Sequence, residues 1–474
     1  MKDVWIKKVG VARGRPRIFF DGLQAVRAGF APGEKFHVNV DGAKVSLTKA
    51  DDGSRVVSAR RRRKNVEKVP VIDLNSPDLL AVFEGMDAIR VVVGEGKVFL
   101  LPLASEARKV ERLGRLKMKL ATGESLAAGS LAHGGGVLAH AIHTGLKDAG
   151  INCELSFANE IREDLMLHAM AVNDIWSDHT AALAVPMQEL AQDEWLMAHL
   201  PKLDLLEMGL PCSGASLAGH TKKGLSKMED HAEIGHLVFS ALAILAKTNP
   251  AVVLFENVER YADTASSQIL RFQLRDMGYI THEAVLDGAD FGCLEKRQRW
   301  CMVAVTKGIG FSFEDLAPRL TVVRKLGEML DPDVLDDDPS WRAVQYLKDK
   351  EERNAAVGDR FKMQFVGADS TSVPTLRKGY AKSGSPDPRL RHPTDPTLSR
   401  LLTPAEHARV KGVPEVLVDG LCATTAHQLL GQGIVYEPFR AAGQRIGESL
   451  QALIGDRDAD DDGDDQGMVP AHAA

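Results

Sequence analysis

The run Leu203-Asp204-Leu205-Leu206-Glu207-Met208, closed by Gly209-Leu210-Pro211-Cys212-Ser213-Gly214-Ala215-Ser216, constrains this chain more than any other stretch. A short apolar run ending in a Pro-Cys turn predicts a buried strand that presents a thiol at its carboxyl end. Open α/β sheets bind their ligands there, in the crevice outside the strand ends. Free cysteines are among the most buried residue types, and most are inert fillers. Cys212 becomes a candidate nucleophile because two later stretches repeat the pattern. Ala251-Val252-Val253-Leu254-Phe255 runs into Glu256-Asn257-Val258, and Glu295-Lys296-Arg297-Gln298-Arg299 places two arginines one residue apart before the apolar strand Trp300 to Val305. A thiol, a carboxyl-amide pair and an Arg-x-Arg therefore each fall at a strand edge.

Upstream, Leu131-Ala132-His133-Gly134-Gly135-Gly136-Val137 opens an apolar-periodic helix, Leu138 to Ala149, followed by the strand Asn152 to Phe157 and then Asn159-Glu160. A glycine-rich turn before a helix, with an acid at the end of the next strand, is the dinucleotide-type arrangement in which the carboxylate bonds ribose hydroxyls. Between Gly219 and Glu233 the chain is polar, with Lys222 and Lys223, and a loop directly after a nucleophile is a candidate lid. The helix His236 to Lys247 returns the chain to the Val252 strand.

Taken in this order, the motifs resemble those of the DNA cytosine carbon-5 methyltransferases. The family's Pro-Cys corresponds to Pro211-Cys212, its Glu-Asn-Val to Glu256-Asn257-Val258, and its Gln-x-Arg-x-Arg to Glu295 through Arg299 with the leading glutamine replaced. The resemblance covers residues 116–453. It implies an α/β fold with a doubly wound, Rossmann-like methyltransferase sheet and a small inserted target-recognition region. It also implies S-adenosylmethionine as cofactor, double-stranded DNA as partner, and catalysis by Cys212, Glu256, Asn257, Arg297 and Arg299 on a flipped-out cytosine. The family's Phe-x-Gly-x-Gly cofactor turn falls on Leu131, His133 and Gly135, beside Gly136. Glu160 matches the ribose acid, Asp178 the acid at the adenine amino group, and Pro211 and Gln432 complete the cofactor set, Gln432 lying where the family has Gly-Asn-Ser. DNA contacts fall to Ser216, Lys222 and Lys223 in the loop, and to Thr375, Leu376 and Tyr380 in the insertion, where Val373-Pro374-Thr375-Leu376 resembles a Thr-Leu core. Arg400-Leu401-Leu402-Thr403-Pro404-Ala405-Glu406 matches a largely structural helix of the family. A tRNA cytosine methyltransferase, or a DNA-binding regulator whose methyltransferase half has lapsed, are the competing readings.

A chain of 474 residues exceeds one core, so several domains are expected. The spans are 1–102, an all-β tandem repeat; 103–121, a basic connector helix; 122–306, the catalytic domain; 307–398, the recognition insertion; 399–455, its C-terminal completion; and 456–474, an acidic disordered tail. The repeat appears on shifting the sequence by 53 residues, which lays Phe30, Phe36, Val38, Val40, Val45 and Leu47 on Phe83, Ile89, Val91, Val93, Val98 and Leu100. Each copy alternates with period two around a turn, a hairpin signal that predicts a small pseudo-symmetric barrel. The first copy also resembles swapped-hairpin AbrB-like DNA-binding domains. Arg60 to Lys64, the densest basic run, lies between the copies and suits either a solvated linker or sequence-blind phosphate contact. The net charge of -6 owes much to the aspartate-rich tail, so a nucleic-acid surface must be local. Five cysteines without a Cys-x-x-Cys pair suit a reducing cytoplasm and offer no metal site. No apolar stretch is long enough to span a membrane, and the start lacks a secretion signal, so a monomeric cytoplasmic enzyme is expected.

Overall fold

The structure, a computed structural model, describes residues 1–12, 15–61, 68–84, 86–211, 236–314, 316, 323–356 and 362–461. The chain divides into two compact units, Met1–Glu111 and Arg112–Ala474.

In the first unit, strands β1 (Asp3–Lys8), β9 (Ala88–Gly94), β10 (Lys97–Pro102), β5 (Lys44–Lys49), β4 (Lys35–Asp41) and β6 (Arg55–Val56) form one sheet in that order. A second sheet holds β2 (Gly10–Ala12), β3 (Arg15–Asp21), β8 (Lys68–Leu74) and β7 (Ser58–Arg61). The sequence repeat is written into the pairing. Leu47 faces Val98 while Val45 faces Leu100, and Ile18 faces Leu74 while Asp21 faces Val71, so each pair maps onto the other when the copies are exchanged. That reciprocity is a pseudo-twofold. Phe30, Phe36, Val45, Leu47, Phe83, Ile89, Val91, Val93, Val98 and Leu100 share one core. Val40 does not: it is 39% exposed, because β6 covers β4 only at Lys35 and Phe36, whereas β1 covers β9 along its whole length.

The second unit is built on a seven-stranded mixed sheet. Its order is β13 (Ala181–Leu183), β12 (Cys153–Asn159), β11 (Leu126–Leu131), β14 (Leu205–Gly209), β15 (Val252–Asn257), β17 (Gln298–Thr306) and β16 (Tyr279–Asp287). The first five are parallel and the last two join antiparallel. Strand order reverses between β11 and β14, where open sheets have their ligand crevice. Both faces are covered, which is why β15 reads as an unbroken apolar run. Val252 and Leu254 pack with the helices Val137–Asp148 and Tyr436–Asp461, and Val253 and Phe255 with Leu237–Thr248 and Ala265–Asp276.

The basic helix expected over 103–121 spans Ala104–Thr122. Three of its cations, Arg112, Arg115 and Lys119, are consumed by protein. Arg112 is fully buried, donating to Thr306, Asn249 and the carbonyls of Met277 and Gly278. Arg115 and Lys119 both pair with Asp204, which sits at the amino end of β14. Within 307–398, a helix Gln345–Ala356 and the short strands β18 (Arg342–Ala343), β19 (Phe365–Val366) and β20 (Arg389–Arg391) join β21 (Leu398–Arg400) in a small separate sheet.

The C-terminal part ends in two helices, Ala423–Gln432 and Tyr436–Asp461, separated where Gly433 leaves helical geometry. The backbone of the second helix runs past residue 456 into the segment expected to be disordered. This last helix packs on Val137–Asp148 through facing glycines. A Cβ on Gly145 would lie 2.0 Å from the Arg440 carbonyl oxygen, and one on Gly443 2.5 Å from that of Ile142. Gly145→Ala is expected to force the helices apart and cost about 1–3 kcal/mol, read as a lowered denaturation midpoint at unchanged m-value.

Candidate active site

The carboxyl ends of β11, β14 and β15 border a cavity of about 340 Å³. Its lining includes His133, Gly134, Gly135, Glu160, Ile161, Glu207, Gly209, Pro211, Glu256, Asn257, Arg299, Lys378 and Gln432. Eight of the residues expected at a site from sequence are thus brought together: His133, Gly135, Glu160, Pro211, Glu256, Asn257, Arg299 and Gln432. Cys212 follows Pro211 directly in the chain. Cys212, Ser216, Lys222 and Lys223 lie outside the described residues.

Local geometry explains the placement. Register sets Gly209 beside Glu256, and Glu256 opposite Cys301, so that Glu256 and Arg299 meet across neighbouring strands. Arg299 Nε lies 2.8 Å from Glu256 Oε1, with both side chains nearly buried. Burial pushes the Glu256 carboxyl above its usual range, against the pull of Arg299, Arg297 and Lys411. Asn257 donates to the Leu210 carbonyl at 3.0 Å, and its own oxygen accepts from the Val258 amide at 2.9 Å. The amide thereby ties the end of β15 to the turn that leads to Cys212.

On the other side, Glu160 accepts from the amides of Gly134 and Arg162, at 2.8 and 2.9 Å. The loop between them is held under strain: Ala132, which also lines the cavity, has φ of 54°, unusual for a residue with a Cβ. Gly135 is closely approached, since a Cβ there would lie 2.3 Å from Leu429 Cδ1, which would have to move.

Other expectations are corrected. Leu131 is fully buried in the core face with Phe157 and Leu206 and does not line the cavity. Gly136 does not line the cavity; with φ of 76° it caps the following helix. Asp178 is exposed and precedes β13, at the strand's amino end rather than its carboxyl end. Leu376 and Tyr380 are fully buried, so neither side chain is available to DNA. The Tyr380 hydroxyl instead donates to the Pro388 carbonyl and accepts from the Leu402 amide. Thr375 is exposed, but its hydroxyl donates to the Lys296 carbonyl at 2.6 Å. Arg297, 4% exposed, donates to the carbonyls of Gly431 and Leu376, which makes it a brace of the site.

The replaced glutamine has a compensation that the motif alone does not reveal. Glu295 is fully buried, accepts from the Leu376 amide at 2.8 Å, and lies 2.6 Å from Lys411 Nζ, which is buried too. Burial, with Arg297 nearby, brings the Lys411 ammonium down to about 7, while Glu295 pulls the other way. Sequence reasoning also passes over Ile161, Lys378 and Glu207. Glu207 did carry a signal: it is the one ionisable residue inside the apolar run Leu205 to Met208, where an acid must be satisfied or neutral.

Among the described residues no cluster of His, Cys, Asp or Glu could hold a metal ion, and no helix is long and apolar enough to cross a membrane.

A mixed α/β sheet holds an acid-arginine pair at the carboxyl edge of its parallel strands. The profile of the C-5 cytosine-specific DNA methylase family matches residues 139–448. The chain is 27% identical over 262 residues to the Type II methyltransferase M.NlaX of Neisseria lactamica, spanning 54% of this chain and 80% of that protein. It is 26% identical over 266 residues to the Type II methyltransferase M.MspI of Moraxella sp, spanning 54% of this chain and 58% of that one. In fold it is similar to the Dnmt2 methyltransferase of S. pombe, with a TM-score of 0.54 at 19% identity over 70% of this chain and 99% of that one. The chain belongs to the C-5 cytosine-specific DNA methylase family, and its activity is methyl transfer to carbon-5 of cytosine in DNA.

Replacing Lys411 by Met would leave the buried Glu295 carboxylate with Arg297 alone, at 3.4 Å, and is expected to cost about 3 kcal/mol. The double variant Glu295→Gln, Lys411→Met should recover most of that loss in chemical denaturation.

Proposed function

We propose that the enzyme methylates cytosine with S-adenosylmethionine through a covalent adduct on Cys212, using a Rossmann-like, doubly wound sheet with a recognition insertion over 307–398. The observation that carries this reading is the Glu256–Arg299 pair in one cavity with Asn257, whose amide reaches the turn before Cys212. S-adenosylmethionine would supply an electrophilic methyl group. The cavity fits it: Glu160 at the β12 end suits ribose hydroxyls, Ile161, 66% exposed beside it, offers an apolar surface to a ring, and Gln432 closes the far wall.

Carbon-5 of cytosine is too electron-poor to attack a methyl group until a nucleophile adds at carbon-6. Cys212 adds there as a thiolate. Glu256 donates a proton or hydrogen bond to ring nitrogen 3, and burial keeps that proton on the carboxyl nearer neutral pH than a solvated glutamate would allow. Arg299 binds the ring carbonyl oxygen, a fixed cation where negative charge develops. After methyl transfer, water removes the proton on carbon-5, the sulfur leaves carbon-6 as thiolate, nitrogen 3 returns to Glu256 any proton it took, and the ring regains its double bond. These atoms cannot be reached inside a duplex, so the base must leave the stack, at a cost of about a few kcal/mol. Ser216, Lys222 and Lys223, and the insertion, are assigned to filling the gap. Residues 1–102, with 19 Lys and Arg against 12 Asp and Glu, are read as an additional DNA-binding part.

Bisulfite sequencing of DNA from cells expressing the protein should show methylcytosine in a fixed sequence context, and Cys212→Ala should abolish it. Glu256→Gln should lower single-turnover transfer by about 10²–10⁴-fold. Unmodified DNA from wild-type cells, or a Cys212→Ala variant that matches wild type, would reject the reading.

A further inference from the structure

The mechanism leaves one carboxyl in the cavity unused. Glu207 lies on β14 in register with Ser130 of β11, so it sits at the point where strand order reverses. It is 2% exposed and lines the cavity two residues below Gly209, which is itself beside Glu256. Its carboxyl is hydrogen-bonded by the Ser130 hydroxyl, and Ser130 Oγ lies 2.7 Å from Nδ1 of buried His133. The other oxygen, Oε1, has no partner among the described residues. A carboxyl that lines a cavity, with one oxygen satisfied and the other enclosed without a partner, is costly unless it holds a proton or a ligand completes it.

The chemistry of that ligand follows from position. The ribose acid Glu160 marks the β12 side of the cavity and the Glu256–Arg299 pair marks the β15 side, so a molecule spanning the two passes over β11 and β14. Between the nucleoside and the reacting base lies the sulfonium and methionine arm, the cationic part of S-adenosylmethionine. We infer that Glu207 is a cation-recognising carboxyl in the floor of the site, which ionises against the positively charged arm of the cofactor, so that cofactor capture releases a proton. This rests on S-adenosylmethionine being the cofactor.

Charge around Glu207 is consistent with a proton held in the free enzyme. Burial, reinforced by Glu256 and opposed by the Ser130 hydrogen bond, raises its carboxyl to about 8. From the β11 side it faces Ser130 and His133, and burial, with His143 of the next helix, brings His133 down to about 3, so that it carries no charge. From the β15 and β17 side it faces Glu256, whose partner is Arg299 and on which Arg297 and Lys411 act from further off. Glu160, Arg162 and Lys378 border the same cavity. An arriving cation therefore meets a neutral acid that it can deprotonate.

Calorimetric titration of the full-length protein with S-adenosylmethionine at pH 7, in phosphate and in Tris, reads the proton directly. Wild type is expected to release close to one proton per cofactor, with release fading above about pH 8, and affinity rising by up to about tenfold per pH unit between pH 6 and 8. Glu207→Gln keeps the neutral shape of the free state. It should melt at the wild-type temperature, bind without proton release, and bind about ten- to a hundredfold more weakly. Titration with S-adenosylhomocysteine, which keeps the ammonium and lacks the sulfonium charge, assigns the cation: release retained points to the ammonium, release lost to the sulfonium, and either supports the inference. Binding by wild type with no buffer dependence overturns it. So does a Glu207→Gln variant that still releases the proton, which would transfer the role to Glu256. Failure of wild type to bind S-adenosylmethionine at all would instead reject the cofactor reading on which the inference stands.

Discussion

Glu256 and Arg299 face each other across neighbouring strands, and the carboxyl edge of the sheet is arranged around that contact. A carboxyl as enclosed as Glu256 would be expelled from the interior without a cation, yet a cation in full contact removes the proton that the chemistry needs. The site sits between these limits. One guanidinium touches Glu256 directly, while Arg297 and Lys411 act from further off and are occupied by Gly431, Leu376 and Glu295. Distant segments contribute to that balance, because the partners of Arg297 and Lys411 come from the loop before β17, the insertion and the helix Ala423–Gln432.

The edge is held from below as well. Asp204, at the opposite end of β14 from the catalytic turn, takes Arg115 and Lys119 from the helix before the sheet and the Ala127 amide from β11. The strand that carries the Pro-Cys turn is therefore anchored at its start by charge and at its finish by the Asn257 amide. A nucleophile on a turn gains precision when both ends of the preceding strand are fixed in this way.

Most of the sheet was legible in the sequence, because parallel strands covered on both faces leave short unbroken apolar runs and their ends carry polar punctuation. Glu256, Asn257 and Arg299 were legible for the same reason, being strand-end residues. The losses share a cause too. Leu131 proved to be core because the last residue of an apolar strand looks alike whether it meets a ligand or the interior, and Leu376 and Tyr380 proved to be core because a Thr-Leu segment looks alike whether its leucine meets a ligand or its neighbours. Asp178 was placed by its acidity alone, without a strand to say which end it occupied. The Glu295–Lys411 pair joins residues far apart in the chain, and a single sequence gives no hint that one charge answers the other.

The reciprocal strand pairing of the first unit has a consequence for how such a unit can be built. Since Val45 meets Leu100, and Asp21 meets Val71, each copy of the repeat finishes the sheets of the other and neither owns a complete core. An isolated half would expose the edges its sister normally occupies, and its nearest route to burial would be to recruit an identical half from another molecule. The covalent link between copies thus turns what would be a concentration-dependent dimer into an intramolecular fold, and leaves each copy at liberty to diverge, as the bare Val40 beside the covered Val93 already records.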